Sequence, residues 1–290
     1  MVLTALGLVG ICGMAGFSID VGSWYQAQRK QQAIADAAAT AGVAWLPSSP
    51  SQATADAQAY ADKNGGSAAD TTVAYSSKYL PNDTMTVTTH TTAPAYFLKA
   101  LGFDSTPVTA TAVARAEAVT SVYGAMPFTV SSTQAQLSGS GCPCFGVQTT
   151  LQLGKSGSGG FAILDIDGSQ GNVSNSTLAS WIVNGCTCNT SAPVWIYINP
   201  GNSYSSGAVQ SAMNQIIGQT MLFPVYDTIQ GTGSNAQYHI IAFSAFQISS
   251  FNFSGNNGTI TGSFVKATWR GAGSGGAGQY FGVTTDQLVG

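Results

Sequence analysis

Residues 2–46 read VLTALGLVGICGMAGFSIDVGSWYQAQRKQQAIADAAATAGVAWL, and this stretch decides the fold of the N-terminal region. No charge occurs in the eighteen residues from Val2 to Ile19, a length near the lower limit for a helix that crosses a bilayer. An Ala- and Gln-rich pattern without proline follows, and Pro47 ends it. The sequence predicts one helix over 1–46, apolar in its first half and amphipathic in its second, on the order of 70 Å long.

Small residues recur along this predicted helix at regular spacing. The glycines recur at every third position and the alanines at every fourth, and they are Gly7, Gly10, Gly13, Gly16, Ala33, Ala37 and Ala41. Small side chains let the backbones of neighbouring helices approach closely. The pattern predicts that the helix packs against a neighbouring helix; the alternative is that an apolar helix simply tolerates glycine.

The composition narrows the class of protein. Charged residues make up 7% of the chain, against a usual share of about 25%, and the formal net charge is -3. The nine Lys and Arg are spread along the chain, so no basic patch is available to bind nucleic acid. A nearly uncharged surface suits a subunit that contacts copies of itself, because charge repulsion is weak. The alternative is a secreted domain whose Ser/Thr surface is hydrated or glycosylated.

The segment GMAGFSIDVGSWYQAQRKQQAIADAAATAGV, residues 13–43, resembles the N-terminal motif of TadE/TadG-like (Flp/Tad) pilus-assembly proteins. The matching positions include Gly16, Asp20, Gly22, Tyr25, Arg29 and Asp36. The resemblance implies a protein that crosses the membrane once, or a pilin-like subunit, handled by a Tad-type secretion system. Two features depart from the pattern: no basic stretch precedes the apolar run, and Ala5 stands where mature type IV pilins carry glutamate. A leader cleaved before Met1 would explain the first departure.

The rest of the chain predicts an α+β protein: a long N-terminal apolar helix, a small α+β module over 47–122 and a β-rich exported domain over 123–290. In the module, residues 51–66 read as a helix ending in Gly-Gly, and APAYFLKALGF, residues 93–103, as a second short helix. The β-rich domain shows strand-like runs such as FAILDI and YHIIAFSAFQISSF, with two predicted helices, STLASWIVNG and SGAVQSAMNQIIG, between them.

The cysteines predict disulfides. The sequence contains Cys142-Pro-Cys144 and Cys186-Thr-Cys188, and paired cysteines in an exported chain are typical of disulfides. We expect cross-links between the two segments, because a bond within one C-x-C is strained. The alternative is a four-thiolate zinc site, although zinc sites normally use wider spacing.

Asp165 and Asp167 in DIDGSQGN are weak candidates for a calcium loop; the alternative is a tight turn after a strand. We otherwise expect no metal site and no cofactor. The histidines are His90 and His239, and neither lies in a nucleophile or metalloprotease motif, so we expect no catalytic residues and no enzymatic activity.

The sequence therefore predicts a structural subunit of an extracellular, pilus-like filament that polymerises through its N-terminal helix. Its predicted location is the bacterial cell surface, with insertion in the membrane before assembly. The predicted partners are copies of itself, the Tad-type secretion machinery and the membrane before assembly, but not nucleic acid. Two alternatives stay open: a membrane-anchored accessory protein or minor pseudopilin of the same system, and a surface protein that is adhesive or binds a ligand.

Overall fold

The computed structural model describes residues 2–140, 142–155, 157–171, 173–199, 203–254, 257–269, 272–273 and 278–289. At positions 2, 3, 5, 6, 8, 9, 203, 257, 272 and 273 only the backbone is described. The chain divides into two compact units, Met1–Ala116 with Asp286–Gly290 (unit 1) and Glu117–Thr285 (unit 2). The predicted ranges 1–46 and 47–122 differ from this division, because the helix and most of the module share one core.

Unit 1 is built from two helices and an antiparallel sheet. Its elements are α1 (Val2–Val43), α2 (Pro50–Lys63), β1 (Thr71–Ser76), β2 (Thr84–Pro94) and the first part of β3 (Ser105–Tyr123). The register pairs Thr71 with Thr89 across β1 and β2, and Thr84 with Arg115 across β2 and β3. The peptide 93–103, predicted as a short helix, instead contains the end of β2 and a single 3-10 turn, Leu98–Leu101.

Alanine makes the core of unit 1 thin and tightly packed. The strand β3 turns alanines inward at every second position, α2 does so at every fourth, and α1 adds a mixed apolar stripe. The buried residues are Ala110, Ala112, Ala114, Ala116, Ala53, Ala57, Ala61, Ile34, Ala35, Ala38, Ala39, Val43 and Leu46, together with Met85 and Val87 of β2. At Gly42 a Cβ would lie 2.7 Å from the carbonyl oxygen of Ala53, so α1 and α2 approach as closely as their backbones allow.

Unit 2 is β-rich, as predicted. Its elements are β4 (Phe128–Ser131), α3 (Ala135–Ser138), β5 (Gln148–Leu153), β6 (Gly160–Ile163), α4 (Asn175–Asn184), β7 (Asn189–Ser191), β8 (Val194–Tyr197), α5 (Gly207–Gln215), β9 (Thr220–Gln230), β10 (Gln237–Ser254), β11 (Asn257–Val265), β12 (Ala267–Thr268), β13 (Ala272–Gly273) and β14 (Val283–Leu288), the last of which ends in unit 1. The strand order of the main sheet is β11-β5-β6-β4-β9-β10-β8, and β10 also pairs with β11, which closes the sheet on itself.

Phenylalanine fills the core of unit 2. The largest fully buried aromatic side chains are Phe128, Phe161, Phe223, Phe243, Phe246 and Phe264. The two helices predicted from the sequence are α4 and α5, and each begins at a serine cap. The Ser174 hydroxyl accepts from the backbone N–H of Thr177 at 3.1 Å, and the Ser206 hydroxyl accepts from that of Val209 at 3.3 Å.

The predicted transmembrane helix is not found. Among the described residues, no helix contains a segment that is both long enough and apolar enough to span a membrane. The first part of α1, from Val2 to Ile19, contains no charged residue. The remainder of α1 is amphipathic and belongs to the core of unit 1.

Candidate assembly surface on the N-terminal helix

The turns of α1 around residues 11–21 expose an apolar surface. From residue 11 to residue 21, which we call the apolar segment, the large side chains are turned outward: Ile11, Met14, Phe17, Ile19 and Val21. Met14 is 67% exposed and Phe17 is 54% exposed. Contiguous apolar surface of this kind on a folded protein marks a site of interaction.

The four glycines spaced three residues apart in the first half of α1 divide into two groups. A Cβ added at Gly7, Gly10 or Gly13 would meet nothing within 4 Å, so this side of the helix is open. A Cβ added at Gly16 would lie 2.8 Å from Cβ of Phe97. Gly16 is therefore covered by Phe97 of the same chain, whereas Gly7, Gly10 and Gly13 leave room for a partner, and their packing against a neighbouring helix stays a prediction.

Asp20 fastens the loop that follows β2 to α1. The residue is fully buried, and its carboxylate accepts hydrogen bonds from the backbone N–H groups of Tyr96, Phe97 and Leu98 at N···O distances of 2.6–3.2 Å. Burial raises the pKa of Asp20, but the hydrogen bonds from Leu98, Tyr96 and Phe97 outweigh it, and the net pKa lies below 3.8. Asp20 thus supplies the acceptors for the start of the 3-10 turn.

This loop continues the apolar surface. Tyr96, Phe97, Leu101 and Phe103 are each more than half exposed, Leu101 by 73%. Together with α1 the loop forms a groove of about 390 Å³. The groove is lined by Cys12, Gly13, Gly16, Phe17, Phe97, Leu98, Ala100 and Leu101. No charged side chain lines it, so it suits an apolar occupant.

Three polar side chains spaced four residues apart hold the next turns of α1 on the sheet. Trp24 Nε1 donates to the carbonyl oxygen of Pro94 at 3.3 Å, Gln28 Nε2 to that of Thr109 at 3.0 Å, and Gln32 Nε2 to that of Thr111 at 3.1 Å. Gln32 Nε2 also donates to Asp36 Oδ1 at 2.8 Å. Asp36 therefore acts through Gln32, which is itself one of the positions that match the family motif.

The other motif residues lie on the surface of α1. The guanidinium carbon of Arg29 lies 5.9 Å from the centre of the Tyr25 ring, a contact between side chains four residues apart. Gly22 is exposed, and a Cβ there would meet nothing within 4 Å. These residues leave an open polar face rather than a pocket.

The alanine face divides differently from the prediction. Ala35, Ala38 and Ala39 are fully buried against α2 and the sheet, whereas Ala33 is exposed and Ala37 and Ala41 are half-buried. In the second half of the helix, Ala35, Ala38 and Ala39 therefore pack within unit 1, and the packing of Ala33, Ala37 and Ala41 against a neighbouring helix stays a prediction. The apolar segment is the part that remains uncovered.

The disulfides form within each C-x-C pair, and the predicted cross-links between the segments are wrong. Cys142 bonds to Cys144 with a Cα–Cα distance of 4.5 Å, and Cys186 bonds to Cys188 with one of 5.1 Å. Both Cα–Cα distances lie within the usual range for a disulfide, so each C-x-C pair can close on itself. The alternative, a four-thiolate zinc site, is contradicted because all four sulfurs lie in disulfide bonds.

Different elements hold the two disulfides. The N–H of Cys144 donates to the carbonyl oxygen of Gln136 in α3, while Cys186 exchanges backbone hydrogen bonds with the turn at Gly124 and Ala125. Cys144 is thus held by a neighbouring helix in the sequence, whereas Cys186 is held by a turn distant in the sequence.

Asp165 and Asp167 lie in the turn after β6. Asp165 is fully buried; burial raises its pKa to about 7, opposed by a hydrogen bond from the Gly171 N–H and assisted by the charge of Asp167. Asp167 is exposed, and its Oδ1 accepts from the N–H of Ser169 at 3.0 Å and from its hydroxyl at 2.7 Å. Within the described ranges, no three or more His, Cys, Asp or Glu side chains come together as a metal-binding group.

The histidines occupy strands. His90 Nδ1 lies 3.1 Å from the hydroxyl of Thr109, and His239 Nδ1 lies 2.8 Å from Asp227 Oδ1. The His239 ring also stacks on Trp195, with 4.8 Å between ring centres. Each histidine therefore lies in a strand and contacts side chains of the neighbouring strands.

Sequence reasoning missed Phe97 and Asp83. Phe97 is exposed, so hydrophobic periodicity did not mark it; only its proximity to Gly16 in space does.

Asp83 is fully buried and accepts from the N–H groups of Lys78, Tyr79 and Leu80 at 2.7–2.9 Å. Burial raises its pKa, but these hydrogen bonds and one from the Thr84 hydroxyl bring it below 3.8. The signal available in the sequence was the position of Asp83 between a predicted turn and a predicted strand.

The N-terminal segment matches a known family. Residues 1–45 match the family model described as putative Flp pilus-assembly TadE/G-like, which confirms the resemblance read from the sequence. The matched range contains α1, including the apolar segment, Gly16 and Asp20. Comparison with curated proteins finds no match, and comparison with solved structures finds none either.

Proposed function

We propose that this protein is a structural subunit of a Tad-type surface filament and that it assembles with copies of itself through the apolar segment of α1. The observation that carries the proposal is the contrast along one helix: Ile11, Met14 and Phe17 are exposed, whereas Ala35, Ala38 and Ala39 are buried in unit 1. The family match at residues 1–45 supports a role in Tad pilus assembly.

The hydrophobic effect favours burial of the apolar segment against other copies. Burying apolar surface gains about 25 cal/mol per Å², which is about 1.5–3 kcal/mol for one Leu- or Ile-sized side chain. A side chain left in water does not gain this free energy. The apolar segments of other copies provide an apolar environment of the same kind. Gly10 and Gly13 leave the helix side open for close approach, since nothing lies within 4 Å of a Cβ placed there.

The rest of the chain is compatible with crowding around such a bundle. Only 7% of the residues are charged, so neighbouring copies repel one another weakly. We propose a structural role rather than an enzymatic one, with export to the bacterial surface by the Tad-type machinery.

The test is filament formation by glycine variants in a bacterium that supplies a Tad system. Gly10→Leu and Gly13→Leu place a bulky side chain on the open side of α1. We expect electron microscopy of sheared surface material to show filaments for the wild type and few or none for these variants. Unfolding temperatures of the purified chains should show that the variants still fold.

The matched control is Gly207→Leu at the start of α5, another helical glycine with nothing within 4 Å of a Cβ. It should leave filaments intact. Normal filaments from the Gly10 and Gly13 variants would overturn the proposal. Recovery of the wild-type chain only as a single membrane-bound copy would favour an accessory protein, and binding to a surface ligand without filaments would favour an adhesive.

A further inference from the structure

The turn after β6 contains a buried carboxylate oxygen without a hydrogen bond. Asp165 is fully buried, and its Oδ2 accepts from the N–H of Gly171 at 3.2 Å. Its Oδ1 has no hydrogen-bond partner in the part of the chain that the structure describes. Buried charged groups are normally paired or coordinate a metal, because an uncompensated one loses its hydration.

The backbone holds this carboxylate firmly in place. The Asp165 N–H donates to the carbonyl oxygen of Tyr197 at 2.9 Å, which ties the turn to the end of β8. The Gly168 N–H donates back to the carbonyl oxygen of Asp165 at 2.9 Å, and Gly168 has a φ of 81°, which reverses the chain. These hydrogen bonds fix the backbone of the turn, and the hydrogen bond from the Gly171 N–H to Oδ2 orients the Asp165 side chain.

A second carboxylate stands two residues away in the same turn. Asp167 is exposed and acts electrostatically on Asp165. Its Oδ1 accepts from Ser169, which orients the side chain. Two like-charged carboxylates in one turn, one of them with a buried oxygen that lacks a hydrogen bond, favour a cation as the missing partner.

We propose that Asp165 and Asp167 bind a calcium ion. The donors are oxygens only, which suits a hard cation, and calcium takes main-chain carbonyls and water as its remaining ligands. Magnesium demands near-ideal octahedral geometry, and zinc prefers His and Cys ligands. With two carboxylates the site belongs to the weak class of extracellular calcium modules, with a Kd of roughly 10⁻⁴–10⁻³ M. This site is independent of filament assembly.

The test is the unfolding temperature of the full chain after treatment with EDTA, measured with added CaCl₂ or MgCl₂. We expect 10 mM CaCl₂ to raise the wild-type unfolding temperature by about 3 °C, and MgCl₂ to raise it much less. Asp165→Asn should remove the calcium response, and Asp167→Asn should weaken it. Asp104→Asn, at an exposed residue of unit 1, is the control and should respond like the wild type.

Asp167→Asn keeps the test decisive if Asp165→Asn does not fold, because Asp167 is exposed. Aromatic-sensitised terbium luminescence that is displaced by calcium gives a second readout on the wild type. The proposal is overturned if CaCl₂ leaves the wild type unchanged, if MgCl₂ acts equally well, or if Asp167→Asn retains the full response.

Discussion

The carboxylate of Asp20 accepts a hydrogen bond from the backbone N–H of Leu98, 78 positions later in the chain, at 2.6 Å. One turn earlier, Gly16 contacts Phe97 so closely that a Cβ would lie 2.8 Å from it. Two residues of the N-terminal motif thus hold one loop against α1. That loop adds its apolar side chains to the surface that the apolar segment exposes.

We predict that Gly16→Ala disrupts this contact while Gly13→Ala does not. In Gly16→Ala the new methyl group overlaps Phe97, and overpacking of this kind costs about 1–3 kcal/mol. In Gly13→Ala the methyl group meets nothing, and a helical Gly→Ala change gains about 1 kcal/mol. Amide hydrogen exchange of residues 96–98 and thermal unfolding measure both effects. Equal behaviour of the two variants would show that Phe97 does not pack on Gly16.

We predict that the loop at 96–98 loosens in acid. The folded pKa of Asp20 lies below its model-peptide value of 3.8, so the unfolded state binds more protons between the two values. The contribution of Asp20 is therefore complete above pH 3.8 and is lost as the pH falls through the folded pKa. NMR titration of the carboxyl carbon should give a pKa below 3.8, and exchange of these amides should quicken in the same interval.

Asp20→Asn should produce faster exchange at 96–98 already at neutral pH, because the amide offers one acceptor oxygen in place of two. Asp36→Asn is the control, since Asp36 accepts from the Gln32 side chain and not from this loop. A protein in which both variants leave these amides protected would not use Asp20 as the anchor.

We predict that peptide mapping without reduction finds each disulfide inside one peptide. Cleavage between residues 144 and 186 should separate a peptide closed by Cys142–Cys144 from one closed by Cys186–Cys188. Because the closed loops are very short, replacing either pair by serine should cost only about 2 kcal/mol. Peptides joined across the two segments would contradict this connectivity.

The alanine face shows how far periodicity reaches. The spacing of Ala33, Ala37 and Ala41 correctly indicated a helix with small residues, but the buried stripe is the neighbouring one, through Ala35, Ala38 and Ala39. On a helix with alanine on several sides, hydrophobicity does not rank one face over another. The choice depends on where β3 places its own alanines, which is a tertiary relationship.

By itself, the sequence determined the long N-terminal helix, its end before Pro47, the β-rich character of the second unit, the helices α4 and α5 and the resemblance to pilus-assembly proteins. These features follow from local propensity and from short motifs. Tertiary structure alone decided which half of α1 is covered, which cysteines bond and which loop Asp20 holds. Each of these depends on contacts between residues far apart in the chain or on the precise path of the backbone, and one-dimensional spacing contains neither.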